Sequence, residues 1–204
     1  MNATNNRQSY ERLRDAILSF VEAHPHPAVR PFKSAIANWG QTWAGVQPIR
    51  LPAADLLTPA LAVTTKATQD LVALFETESD ALKWEQSYTR ADGVVGDDML
   101  SGYGFAEVIG RHGPFVSARV RAGIGVWGPH IDYPAHRHAA EEVYVVLAGS
   151  ADFRLGDKPP EARTAGDTVH VPAMLTHGFH TNEEPFVVFY IWQSGDLREK
   201  SSFS

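Results

Sequence analysis

From Phe105 to the C-terminus the chain never runs long without a turn residue. Glu142 to Leu147, Ala151 to Leu155, Thr168 to Val171 and Phe186 to Trp192 are short segments rich in β-branched and aromatic residues. Gly, Pro, Asp and Asn separate them at the intervals of an all-β sandwich or barrel. Pro114 to Trp127 alternates, with Phe115, Ser117, Arg119 and Arg121 opposing Val116, Ala118 and Val120. Before residue 100 the period is helical instead. Tyr10, Leu13, Ile17, Phe20 and Val21 recur at spacings of three and four, which predicts a helix over about 8–23, stopped by Pro25 and Pro27. Shorter helices are expected over about 30–39, 53–78 and 80–88, followed by a turn-rich patch over 91–104. The expected organisation is therefore a helical extension over 1–100 and a mainly β barrel over 101–204.

Composition excludes several chemistries. The chain has no cysteine, so disulfides, thiolate metal sites, Fe–S clusters and cysteine nucleophiles are out. Its net charge of −6 gives no basic excess to neutralise phosphates, so nucleic acid is not an expected partner. The longest apolar run, Phe186 to Trp192, falls far short of the roughly 20 residues a membrane span needs. The N-terminus is polar and lacks a secretory apolar stretch. These features read as a soluble, cytoplasmic protein.

Nine histidines are present, and three of them keep company with one glutamate: His136 and His138, then Glu142, then His177 after Pro172. Residues i and i+2 of a strand face the same way, so His136 and His138 can aim two imidazoles into one barrel mouth. Glu142 starts the next β segment, and His177 lies on a later loop. Three imidazoles and one carboxylate suit Zn²⁺, Fe²⁺, Mn²⁺, Co²⁺ or Ni²⁺, with positions left for water or substrate. His180 is a rival for His177, and His130 is a neighbour that could support the site. His170 reads as an ordinary strand residue; His24, His26 and His112 read as solvated.

The run His136-x-His138-x3-Glu142-x6-Gly149, followed by Gly166-x5-Pro172-x4-His177, resembles the two motifs of the cupin superfamily, a double-stranded β-helix (jelly-roll) barrel with a metal in its mouth. His130 and Met174 stand where those motifs carry glycine, and Thr181 stands at the expected asparagine with Asn182 beside it. A narrower resemblance rests on Tyr133-Pro-Ala-His-Arg-His-Ala-Ala-Glu-Glu-Val-Tyr144, on the tail Tyr190-Ile-Trp-Gln-Ser-Gly-Asp-Leu197, and on Trp84-Glu-Gln-Ser-Tyr88. These are similar to the cupin-type dimethylsulfoniopropionate (DMSP) lyases, which release dimethyl sulfide and acrylate. The resemblance implies metal ligands at His136, His138, Glu142 and His177, a catalytic base at Tyr144, and a substrate-placing role for Tyr133. Trp127, Tyr190 and Trp192 are the candidate aromatic wall for a small zwitterionic sulfonium carboxylate. An Fe²⁺ dioxygenase, an isomerase of small acids and a non-catalytic carboxylate-binding cupin use the same donors. The helices are left to cover the barrel, form a homodimer interface or act as a lid.

Overall fold

The computed structural model describes residues 3–36, 42–111, 113–195, 197 and 202–203; His112 and Asp196 lie outside them. Helix α1 (Ala3–Ala23) forms as its pattern requires, with Tyr10, Leu13, Ile17 and Val21 fully buried on one face. A short α2 (Arg30–Ile36) follows. The expected helical stretch over 53–78 divides into 3-10 turns, α3 (Leu57–Ala60) and α4 (Gln69–Glu78), whose buried stripe is Leu71, Val72 and Phe75. Arg12 grips Glu78 through two hydrogen bonds of 2.7 and 2.9 Å and ties α1 to α4.

Two expectations fail in the middle of the chain. Residues 80–88 do not make a helix: a 3-10 turn over Ser79–Ala81 leads into strand β2 (Trp84–Glu85). A helix so short has little stability of its own, and Trp84, 1% exposed, is worth more as core against the sheet. The turn-rich patch contains a helix, α5 (Asp97–Gly102), whose first-turn Asp97 and Asp98 complement the positive helix N-terminus.

The barrel is made of two sheets. In one, β1 (Thr42–Trp43), β4 (Phe115–Val116), β3 (Tyr103–Gly110), β5 (Val120–Trp127), β12 (Phe186–Gln193), β7 (Glu141–Ala148) and β10 (Thr168–Val171) lie side by side, and β2 pairs with β3. The other runs β13 (Ser202–Phe203), β6 (Asp132–Arg137), β11 (His177–Thr181), β8 (Ser150–Leu155) and β9 (Glu161–Thr164). All these pairings are antiparallel except β3 with β4. This is the mainly β cupin barrel with a preceding helical layer.

Strands β7 and β12 are buried on both faces, which explains why they read as unbroken apolar runs. Val143, Val145, Leu147, Val187, Phe189 and Ile191 turn outward and pack with Leu13, Ile17, Val72 and Phe75 of the helices. Tyr144, Val146, Val188, Tyr190 and Trp192 turn inward and join Trp127, Tyr133, Phe153 and Phe179 between the sheets. The helices therefore back the larger sheet. The segment after β2 is different: Gln86 to Thr89 reaches the barrel mouth and lines its cavity.

The two motif positions that lack glycine keep the glycine backbone. His130 and Met174 have φ of 58° and 64°, a left-handed conformation that costs a side-chain-bearing residue about 1–2 kcal/mol. Met174 N–H nonetheless donates to His138 O at 2.9 Å, and Leu175 N–H to Pro172 O at 3.1 Å, so this turn delivers the chain to His177. Met174 is 53% exposed and its side chain contributes little. Met174→Gly is therefore expected to stabilise the fold by about 0.5–1 kcal/mol, part of the relieved strain being offset by a freer unfolded chain. Urea denaturation of the two proteins checks this; equal or lower stability in the variant would show that the strain at Met174 does not exceed the entropic cost of glycine.

Candidate metal centre and cavity

Strand β6 carries His136 and delivers His138 just past its end; β7 carries Glu142. His177 is not on a loop: it is the first residue of β11 and stands directly across from His136 in the β6–β11 register. That cross-strand pairing brings the two rings to 4.2 Å, with the His138 ring 5.0 Å from His177. All four groups are buried, at 1–3% exposure.

The main chain fixes each ring. The Nδ1 of His136 lies 2.8 Å from Pro134 O, that of His138 2.9 Å from Ala140 O, and that of His177 2.9 Å from Leu175 O. A carbonyl can only accept, so each Nδ1 carries a proton; the Nε2 atoms of His136 and His177 then present lone pairs, whereas that of His138, 3.0 Å from the Glu142 carboxylate, donates to it when no cation is bound. The three imidazoles form a cluster whose ligand atoms lie within 4.8 Å of one another. Glu142 Oε2 joins them, 3.0 Å from His138 Nε2 and 3.4 Å from His177 Nε2. The buried His177 Nε2 makes no hydrogen bond. An orphaned imidazole lone pair beside a carboxylate, each ring braced from behind by a carbonyl, is the arrangement a metal ion satisfies.

The electrostatics agree. Burial, then the neighbouring His177, lowers His136 to about 3, so it is neutral. Burial alone would raise Glu142, but the imidazoles of His138 and His177 outweigh it and hold the carboxylate below its usual range. His138 is lowered by burial and raised more strongly by Glu142, with a net upward shift. Glu142 is thus held as a buried carboxylate among nitrogen donors, a site that favours a cation.

Beside this cluster lies a cavity of about 300 Å³, lined by His136, Glu142 and a ring of aromatic side chains. Tyr144, Tyr133, Trp127, Tyr190 and Trp192, the candidates from sequence, all line it. Tyr144 follows Glu142 by two residues on β7 and shares its inward face; its ring lies 6.2 Å from that of His177. Burial, then the Glu142 carboxylate, pushes its hydroxyl well above the ordinary tyrosine value. Tyr133 packs edge-on against His136 at 4.9 Å. Trp192 stacks on His138 at 4.0 Å.

Among the further lining residues that sequence reasoning does not single out as site residues are Tyr88, Tyr103 and Arg121. Tyr88 belongs to the Trp84–Tyr88 stretch that carries the family resemblance, and that is its signal in the sequence. Tyr103 and Arg121 carried none, because a strand's inward face is not announced by a polar residue. His130, His170 and His180 stand apart from the cluster. His130 is exposed and lies 3.4 Å from Glu183, and His180, on the outward side of β11, lies 4.0 Å from Asp132. His170 pairs with Glu141 at 2.8 Å. Among the described residues no helix is long and apolar enough to cross a membrane.

Comparison with known proteins gives one consistent result. The sequence pattern of a family described as dimethylsulfoniopropionate lyase matches residues 26–188. The chain is 32% identical over 152 residues to the dimethylsulfoniopropionate lyase DddQ of Ruegeria pomeroyi, covering 74% of each chain. The crystal structure of DddQ from that organism superposes with a TM-score of 0.85 at 27% identity, over 97% of this chain and 96% of that one. A chain from the crystal structures of the DMSP lyases RdDddP and RnDddQII superposes with a TM-score of 0.84 at 30% identity, over 98% and 99%.

Proposed function

Because the chain belongs to the dimethylsulfoniopropionate lyase family, a family of carbon–sulfur lyases, we propose that it performs the metal-dependent β-elimination of DMSP to dimethyl sulfide and acrylate, with Tyr144 as general base. The observation that carries this reading is one cavity that brings together a buried three-histidine cluster, Glu142 and Tyr144.

His136, His138, Glu142 and His177 would hold one divalent ion, with Zn²⁺, Fe²⁺, Mn²⁺, Co²⁺ and Ni²⁺ all suited to the donor set. When bound, the ion supplies positive charge that neutralises the substrate carboxylate and favours a nearby phenolate. That charge matters, because burial and Glu142 otherwise disfavour ionised Tyr144. For an unperturbed tyrosine the anion costs roughly 2.7 kcal/mol at pH 8.

Tyr144 removes the proton from the carbon next to the carboxylate. The carbon–carbon double bond forms from that electron pair while the carbon–sulfur bond breaks, and its electrons leave with dimethyl sulfide. The proton stays on the phenol oxygen and passes to water before the next turnover. Tyr133 positions substrate beside this base. The sulfonium end suits the aromatic lining, where cation–π attraction contributes about 1–2 kcal/mol when water is excluded.

The same donors suit an Fe²⁺ dioxygenase, so the deciding assay is run without oxygen. Purified protein given DMSP anaerobically is expected to release dimethyl sulfide into the headspace. A chelator should stop it and added divalent metal restore it. Release no faster than the uncatalysed rate, or insensitivity to the chelator, would end this reading.

A further inference from the structure

The register of the larger sheet puts Arg121 of β5 directly across from Trp192 of β12, which is across from Glu142 of β7. Arg121 thus belongs to the inward-facing row that contains a candidate metal ligand, and it lines the same cavity. Its Nε ion-pairs with Glu107, which is 3% exposed. The chain makes room for this pair: a Cβ at Gly110 would stand 2.2 Å from Glu107 Oε1. A buried ion pair is poor support for stability, since desolvation offsets its attraction. A guanidinium has five donors, and Glu107 takes the one on Nε.

The guanidinium also changes what its neighbours can do. Its Cζ lies 5.0 Å from the Trp192 ring centroid, 5.5 Å from Phe105 and 5.9 Å from Tyr190. With His138 stacked on it as well, Trp192 already carries an imidazole and a guanidinium. A sulfonium placed against Trp192 or Tyr190 would meet a like charge. Tyr88, Tyr103, Trp127 and Tyr133 form a second aromatic group in the cavity, in mutual contact at 5.2–6.1 Å between ring centroids.

We propose that Arg121 is a specificity-determining residue that recognises the carboxylate of a small zwitterion and, by like charge, turns its cationic end toward Tyr88, Tyr103, Trp127 and Tyr133. The identity of the zwitterion rests on the lyase reading; the polarity of the cavity does not. Removal of the α-proton adds a second negative charge to the carboxylate unit, and a fixed guanidinium stabilises that charge where it develops.

The test uses chelator-treated protein and two half-substrates, propionate and trimethylsulfonium, with binding followed by calorimetry. Arg121→Gln is expected to weaken propionate about tenfold or more, the loss of a charge-assisted contact. Trimethylsulfonium should bind as well as before or a few-fold better, because the repulsion is gone. Distortion of the pocket would weaken both. Arg121→Gln/Glu107→Gln, which leaves no unpaired buried carboxylate, is expected to repeat the opposite-sign result. Propionate affinity within twofold of the parent, or loss of both probes together in the double variant, overturns the proposal. The lyase reading fails separately, if the parent enzyme releases no dimethyl sulfide.

Discussion

His138→Ala is expected to take the protein from one metal ion per chain to essentially none and to reduce dimethyl sulfide release to the uncatalysed level. Its Nε2 lies 3.0 Å from Glu142 Oε2, the shortest contact within the cluster, and its ring is braced by both Ala140 O and Trp192. Loss of a group that merely supports a ligand already costs about 10- to 100-fold, and loss of the ligand itself should exceed that. The fold should persist, since a chain of this length draws its stability from buried area rather than from a metal. Elemental analysis beside circular dichroism checks both halves. A folded variant that retains stoichiometric metal would remove His138 from the ligand set.

Tyr144→Phe is expected to lower turnover by about 10²- to 10⁴-fold, the range of a general base, with metal content unchanged. The substitution keeps the ring, which packs against Phe153 and Phe179 at 5.8 and 6.3 Å, and deletes only the oxygen. On the proposed mechanism, in which the phenolate is the working form, the parent's rate should climb toward alkaline pH, since burial beside Glu142 raises the proton affinity of Tyr144. Tyr133→Phe is the companion variant and should be hurt less. If Tyr144→Phe turns over within a few-fold of the parent, the base lies elsewhere.

The barrel and its histidine trio are legible in the sequence because both rest on short-range rules. His136 and His138 share a face by strand alternation alone, and turn residues mark the strand ends. His177 read as a loop residue because Pro172 precedes it, whereas the cross-strand partner His136, far away in sequence, makes it a strand start. Arg121 shows the opposite limit. In the run 114–127 the face bearing arginines looks like the solvent side of a half-buried strand. Here β5 has a sheet face against helices and a face toward the cavity, so Arg121 points inward. Whether a polar strand face meets water or a binding cavity depends on the second sheet, and no local pattern encodes that. Tyr88 and Trp84 were drawn toward helix by spacing and pulled into the barrel by what they bury.

The three imidazoles are aimed by carbonyls two residues away along the chain: Pro134, Ala140 and Leu175. Such anchors are contributed by the backbone, so they survive almost any exchange of the side chains that carry them. Exchange of other cavity-lining side chains leaves this backbone half of the aiming intact, while Tyr133 against His136 and Trp192 against His138 tie two of the rings to the cavity wall. The cluster is thus held jointly by main chain and cavity wall, so an exchange at Tyr133 or Trp192 reaches the imidazoles directly.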